Sequence, residues 1–278
     1  MGNILRADLS KGKTKLQIKE TLVRHMETLS VVIITLNEEK NIGRCLDSVQ
    51  GIADEIVVVD SFSTDKTKDI CLSYGVRFIQ NEWLGYVDTK NLALKETSYD
   101  LVLSLDADEA LSDTLKQSIL HIKNNRDKDS YSFNRLTNYC GKWIKHCGWY
   151  PDVKLRLLDK TKGHWTGLDI HEQITMNSNS TIGHLKGDLY HYSYYDIGQH
   201  VAQSTKFSYI SAQSFYKQGK KASILKIVFS PANRFFRDYF VHRGFLDGYE
   251  GFLISVVSAY ATFLKYATLR EMNKGRSI

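Results

Sequence analysis

Leu101-Val-Leu-Ser-Leu-Asp106-Ala-Asp108-Glu-Ala110 is an apolar run of strand length that ends in two carboxylates one residue apart. At the carboxyl end of a parallel strand, the crevice between neighbouring loops is where open α/β sheets bind ligands. Hard oxygen donors in that position select Mg²⁺ or Mn²⁺ with attached phosphates. Taken alone, the pattern also fits a strand and a turn whose acids sit near the start of the next helix, where the macrodipole favours them. The flanking sequence separates these alternatives.

Upstream, Leu29-Ser-Val-Val-Ile-Ile-Thr35 is almost continuously apolar and rich in β-branched residues, the pattern of a strand buried on both faces. It runs into Leu36-Asn37-Glu38-Glu39, where Asn37 reads as a helix N-cap and the glutamates as first-turn acids. Ile42, Cys45, Leu46 and Val49 then form the buried stripe. Glu55-Ile-Val-Val-Val-Asp60 predicts a second strand ending in an acid, followed by the turn cluster Ser61-Phe-Ser-Thr-Asp65 and a helix closed by Gly75. A strand over 76–80, a helix over 87–95, a strand over 101–105 and a helix over 111–122 complete a strict alternation. Such alternation predicts a parallel, right-handed α/β sheet with Thr35, Asn37, Glu38, Asp60, Asp106 and Asp108 gathered at its strand ends.

In order and type, these residues resemble the inverting glycosyltransferases of family 2, whose nucleotide-binding fold is called GT-A. The motifs that carry the resemblance are Thr35-Leu-Asn37-Glu38-Glu39, Val-Val-Asp60-Ser-Phe-Ser-Thr-Asp65, Lys90-Asn91 with Ala93-Leu94, and Leu-Asp106-Ala-Asp108-Glu109. Further on, Gly148-Trp149-Tyr150-Pro151-Asp152, Leu155-Arg156-Leu157, His171-Glu172, Leu189-Tyr-His191-Tyr and Arg243-Gly-Phe-Leu-Asp247-Gly248 resemble the bacterial subgroup that glucosylates the inner core of lipopolysaccharide. The likeness runs over about residues 29 to 269. It implies a GT-A nucleotide-diphospho-sugar transferase (Rossmann-like) domain over 29–195, a basic and aromatic helical C-terminal region over 196–278, and an N-terminal extension over 1–28. Phe62 departs from the family pattern, which usually has glycine there. A turn with φ > 0 would strain phenylalanine, so the loop beside Asp60 is expected to take another shape.

Composition agrees without adding specificity. A chain of 278 residues with 42% hydrophobic content buries one large core or two modest ones, as soluble globular proteins do. Cys45, Cys71, Cys140 and Cys147 form no CxxC pair; the first two fall at core-facing helix positions, and Cys140 with His146 and Cys147 has poor zinc spacing. The first residues are polar and charged with no apolar signal-peptide core, which points to a reducing cytosol, and Met26 stands just ahead of the first strand as an alternative start. The net charge of +6 is concentrated between Lys206 and Arg243, where Lys217, Lys220, Lys221, Lys226, Arg234 and Arg237 are opposed by Asp238 alone. Aromatic residues interleave with them. This favours an anionic membrane surface over nucleic acid, for which no motif is present, with a solvated helical face as the plainer alternative. Residues 251–264 lack charge but are too short and hydroxylated for a bilayer span of about 20 apolar residues, and read as an interfacial or packed helix.

The resemblance also assigns roles. Asp108 is the metal ligand for Mg²⁺ or Mn²⁺, Asp106 contacts the ribose or the ion's water shell, and Asp60 accepts from the base's ring N–H. Thr35, Leu36, Asn37 and Glu38 cradle base and ribose, and Lys90 counters diphosphate charge. The plainer alternatives are a capping asparagine, a turn acid and a solvated helix lysine. Inverting transfer needs one base, and Glu172 is assigned to it, with Asp169 in reserve and His171 orienting it. His191 is a further metal or diphosphate ligand or a satisfied core histidine; Trp149, Tyr150 and Asp152 form an acceptor platform or a tight turn. The expected partners are a sugar nucleotide, UDP-glucose above all, a lipid-linked core oligosaccharide and the cytoplasmic face of the inner membrane, to which the enzyme attaches peripherally. A polyprenyl-phosphate sugar synthase would share the first-half motifs, and the lack of a clear membrane span argues against it. A nucleotidyltransferase should carry a glycine- and basic-rich loop after its first strand, which Thr35-Leu-Asn-Glu-Glu is not. Outside enzymes, the alternative is a catalytically silent membrane-surface binding module.

Overall fold

The structure is a computed structural model that describes residues 26–167 and 172–276. Strands β1 (Leu29–Thr35), β2 (Glu55–Asp60), β3 (Arg77–Gln80) and β4 (Leu101–Asp106) pair in parallel in the order β3-β2-β1-β4. Their register sets Thr35 opposite Asp60 and Ile34 opposite Asp106, so three strand ends open on one edge. Helices α1 (Ile42–Val49), α2 (Thr67–Ser73) and α3 (Tyr86–Lys95) make the crossovers. Because both sheet faces are covered, alternate residues feed two cores. Val31, Ile33, Val58 and Leu103 pack with α1, whereas Val32, Val57, Val59 and Val102 pack with Ala93 and Leu94 of α3. Each such side chain contributes about 1.5–3 kcal/mol on burial, which is why these strands read as unbroken apolar runs rather than alternating ones.

Asn41, rather than Asn37, occupies the N-cap position of α1. Asn37 instead sits at φ 56°, and its Oδ1 accepts from Thr64 N at 2.8 Å in the loop after β2. Cross-loop bonding to that donor takes the side chain that a local cap would have used. Cys45 and Cys71 are buried free thiols, as their helix positions predicted.

After β4, beyond the four strands whose alternation predicted parallel pairing, the sheet becomes mixed. The later strands are β5 (Glu109–Leu111), β6 (Ser130–Tyr139), β7 (Lys142–Ile144), β8 (Asp152–Asp159), β9 (Gly163–Thr166), β10 (Gln173–Met176) and β11 (Ile182–Tyr194). The order continues β4-β8-β6-β11-β5; β8 is antiparallel to β4 and β6, β11 is parallel to β6, and β5 is antiparallel to β11. β7 pairs with β6, and β9 and β10 form their own ladder. The β6 to β7 connection is too short for the crossover that parallel pairing requires. Helix α4 is Asp113–Asn125, not 111–122: Glu109–Leu111 is taken by β5, and Ser112 caps the helix by accepting from Leu115 N at 3.2 Å.

The C-terminal part comprises α5 (Ile197–Lys217), α6 (Ile224–Phe236), a π-helical turn (Arg237–Val241), a 3₁₀ turn (Gly244–Asp247) and α7 (Gly248–Asn273). α7 packs along α5 and α6, and Tyr139, Ile144, Cys147 and Ile254 join it to the sheet. The expectation that this stretch is too short to span a bilayer is corrected. Because the helix continues past Lys265, Gly244–Asn273 is long and apolar enough to cross a membrane by length and composition.

Candidate active site

A cavity of about 1130 Å³ opens at the carboxyl edge of β1 and β4. Its wall includes Thr35, Leu36 and Glu38 after β1, Asp106 and Asp108 after β4, Arg135 of β6 and Arg156 of β8. Trp165 of β9, Glu172, His191 of β11 and Lys206 of α5 also line it. Lys90, buried on α3, holds two of its acids together: Nζ lies 2.9 Å from Asp106 Oδ1 and 3.0 Å from Glu172 Oε1, and 4.4 Å over the Trp165 ring. Asn91, the next residue, fixes Trp165 by pairing with both its backbone N and O at 2.9 Å.

A second layer sits behind this one. Arg156 Nη2 is 2.8 Å from Asp106 Oδ2 and 3.2 Å from Glu109 Oε1, and Arg135 joins Glu109 at 3.4 Å to Asp152 at 2.8 Å. Glu109 is completely buried and accepts from Asp106 N at 3.0 Å, so the acid after the Asp-x-Asp pair fixes that loop's backbone. Burial raises the Asp106 pKa, but Lys90 and Arg156 outweigh it and hold the carboxyl well below the usual range. Glu38 behaves oppositely. Burial pushes it up to about 6, with Asp108, Asp65 and Asp106 adding to the rise and Asn41 opposing it.

The pairing of β5 with β11 brings the histidine to the second acid. His191 faces Glu109 in that ladder, Tyr192 N donates to Asp108 O at 2.9 Å, and His191 Nε2 lies 3.1 Å from Asp108 Oδ2. β11 reaches this register through an irregularity between His184 and Asp188 that contains Gly187 at φ 101°. A Cβ there would come within 2.3 Å of Leu115 N in α4, so only glycine fits. Among the described residues no three His, Cys, Asp or Glu side chains are grouped to hold a metal ion, and Asp106 is paired with Lys90 and Arg156. Asp108 and His191, whose Nδ1 is buried without a partner among the described residues, still fit a small divalent cation. Such ions take one or two protein donors and complete their shell with substrate phosphates and water.

Other predicted residues fall elsewhere. Asp60 is fully buried: it accepts from Ser63 N at 2.9 Å, from Ser63 Oγ and from Gln80 Nε2 at 3.3 Å. Phe62 keeps φ 60°, correcting the expectation of a reshaped loop, and the residue is exposed. Trp149 packs with Tyr139, Tyr194 and His200, whose pKa burial pushes down to about 4, and is not among the described residues lining the cavity. Tyr150 Oη donates to Asp188 Oδ1 at 3.0 Å, and Asp152 reaches the site through Arg135. Asp169 and His171 lie outside the described residues.

Arg135, Arg156, Glu109 and Trp165 are site residues that sequence reasoning did not assign. A signal for one was present: Arg156 interrupts the apolar run Leu155 to Leu158, and a charge inside a buried strand demands partners.

A mixed α/β sheet of this order, with carboxylates after β4 and helices following the sheet, defines a GT-A-like fold. The chain belongs to glycosyl transferase family 2, whose model matches residues 30–180. It is a glycosyltransferase by that membership. Over 264 residues it is 34% identical to an uncharacterized glycosyltransferase of Rickettsia typhi, covering 91% of this chain and 90% of that protein. Over 256 residues it is 30% identical to the lipopolysaccharide core biosynthesis glycosyltransferase LpsC of Rhizobium meliloti, covering 87% and 92% of the two chains. Among solved structures, glucosyl-3-phosphoglycerate synthase from Mycobacterium tuberculosis, in complex with Mn²⁺, uridine diphosphate and glucosyl-3-phosphoglycerate, is similar over 49% of this chain and 51% of that one. The TM-score is 0.34 and the identity 23%.

Proposed function

We propose that this enzyme is a metal-dependent inverting hexosyltransferase that moves glucose from UDP-glucose to a heptose of the lipopolysaccharide core or a related lipid-linked glycan. The observation that carries the proposal is the convergence of Asp106, Asp108, His191 and Glu172 on one cavity at the sheet's carboxyl edge. The donor and acceptor classes rest on the motif resemblance and on the name of the Rhizobium relative.

In this reading Asp108 and His191 hold Mg²⁺ or Mn²⁺ together with the donor's diphosphate. When bound, the ion offsets charge on the departing diphosphate. Thr35, Leu36, Asn37 and Glu38 enclose base and ribose, and Asp60, whose carboxylate accepts from Ser63 and Gln80, is assigned to the base side of the site. Glu172 takes the proton from the acceptor hydroxyl as the new O–C1 bond forms, while the C1–O bond breaks and its electron pair leaves with the diphosphate. Lys90 aims Glu172 through its ion pair, with Asp169 as the reserve base and His171 as its neighbour. Arg135 links Asp152 to the site, and the acceptor is assigned to the neighbourhood of Asp152 and Tyr150. The transferase unit is assigned to residues 29–195 and the helical part to 196–278, attached peripherally to the cytoplasmic face of the inner membrane.

One observation favours a second reading. A helix long enough to cross a membrane suits an enzyme whose acceptor is a polyprenyl phosphate. A panel of sugar nucleotides assayed for metal-dependent nucleotide release, with core-truncated glycolipid or polyprenyl phosphate as acceptor, separates the two. Release on UDP-glucose with the glycolipid alone is expected; release only with polyprenyl phosphate overturns the first reading, and no release with any donor overturns both.

A further inference from the structure

No residue of α6 is buried. Ile224, Leu225, Val228 and Phe229 are each about 60% exposed, and the apolar surface continues through Phe236 and Phe240 to α7. Ring contacts make it continuous: Phe236 meets Phe240 at 5.2 Å, Tyr239 meets Phe240 at 5.1 Å, and both Phe235 and Tyr239 meet Phe252 of α7 at about 6 Å. A contiguous apolar surface of this kind marks an interaction site.

Phe229 also edges a separate cleft of about 400 Å³ between α6 and α7, a size suited to a small ligand. Arg234, Arg237 and Lys265 line it together with the polar side chains of Ser230, Asn233 and Thr262, and no described carboxylate does. The buried Asp238 pairs with both arginines from behind. Burial, with Arg234, Lys220 and Lys226 nearby, holds Lys265 below the usual lysine range, which marks a surplus of positive charge. The ammonium groups of Lys226 and Lys265 stand over the ring of Tyr266, itself a residue of the cleft wall, at 5.5 and 4.8 Å, which keeps both cations beside the cleft.

We infer that the cleft between α6 and α7 binds the phosphate of an anionic phospholipid headgroup, while the adjoining apolar face of α6 and the π-helical turn inserts among the acyl chains. A cationic cleft at the rim of an exposed apolar face matches the depth order of a leaflet, with charge at the surface and hydrocarbon beneath it. An acidic protein would satisfy the cations but leave the apolar face uncovered. A second copy of this chain would set like charges against each other. The inference deepens the proposed peripheral attachment by naming its surface and its lipid chemistry, and it does not depend on the sugar chemistry.

The test is sedimentation of the full chain with vesicles of phosphatidylcholine alone or mixed with phosphatidylglycerol, without donor or acceptor. The parent should bind the mixed vesicles more tightly. Replacing Lys220, Lys226 and Lys265 with Gln should weaken that binding by about fivefold per residue, roughly a hundredfold together, at low salt. Binding to neutral vesicles should stay unchanged. Phe229→Ser with Phe236→Ser should weaken binding to both kinds, and because these rings are exposed, thermal unfolding should match the parent's. An alkaline carbonate wash of membranes should release the protein. Parent-like binding of the lysine variant to the mixed vesicles overturns the headgroup site. Retention after carbonate overturns peripheral seating in favour of a spanning α7. A dimer that the Phe variant dissolves, with vesicle binding unchanged, assigns the apolar face to a second copy. Loss of vesicle binding with donor turnover intact, or the reverse, tells this inference apart from the transferase reading.

Discussion

Replacing Lys90 with methionine keeps the length of the side chain and removes the charge that joins Asp106 to Glu172. The ammonium is 1% exposed and lies 2.9 and 3.0 Å from the two carboxylates, so both lose a close cationic partner at once. Breaking a fully buried pair costs about 3–5 kcal/mol. Here Asp106 retains Arg156, and the Asp106 and Glu172 side chains are 26% and 18% exposed, so solvent and the second cation recover roughly half of that. A loss of about 2 kcal/mol remains, a fall in melting temperature of about 4–8 °C for a chain of this size. The pH dependence has a definite sign. Lys90 and Arg156 depress the folded-state pKa of Asp106, so its contribution is fully present above the unfolded value of about 3.9 and is lost as pH falls toward the folded one. Without Lys90 the gap between the two values narrows. The variant's deficit should therefore be largest near neutral pH and should shrink below about pH 4. Differential scanning fluorimetry across that range measures it, and turnover should fall at least about a hundredfold because Glu172 is no longer aimed. An unchanged melting temperature at neutral pH, or a deficit of constant size into acid, refutes the ion-pair argument.

Asp108→Asn, or EDTA added to the parent, should lower turnover at least about a hundredfold, with Mn²⁺ or Mg²⁺ restoring the chelated enzyme; full activity in excess EDTA refutes the metal assignment. Glu172→Gln should reduce turnover by about 10² to 10⁴ with donor affinity by calorimetry near the parent's, whereas loss with Asp169→Asn alone moves the base to Asp169. Phe62→Gly should stabilise the loop by up to about 1 kcal/mol, because glycine accepts the positive φ, and Phe62→Val should destabilise it, since a β-branched residue tolerates that conformation least. Chemical denaturation of the three proteins checks the order.

The sequence alone determined the first four strands and the acids that end two of them, Asp60 and Asp106. Runs such as 29–35 and 55–60 encode their own burial through composition, and parallel pairing of strands separated by helices follows from chain connectivity and handedness. Asp106 and Asp108 were legible for the same reason, as carboxylates placed where an apolar run stops. Tertiary structure decided which groups share the site. Lys90 and Glu172 stand 82 residues apart, and no local pattern records that α3 and the start of β10 close on one another. His191 meets Asp108 only because β5 pairs antiparallel with β11, and β11 attains that register only through the irregularity at Gly187. Asp60 and Trp149 show the converse. Their residue types suit base and sugar contact, yet Asp60 is engaged by Ser63 of its own turn and by Gln80 from the neighbouring strand, and Trp149 by an aromatic core. Local sequence fixes what a residue can do chemically, whereas the partner that engages it is set by contacts whose loop-closure entropy only the assembled sheet and helices repay.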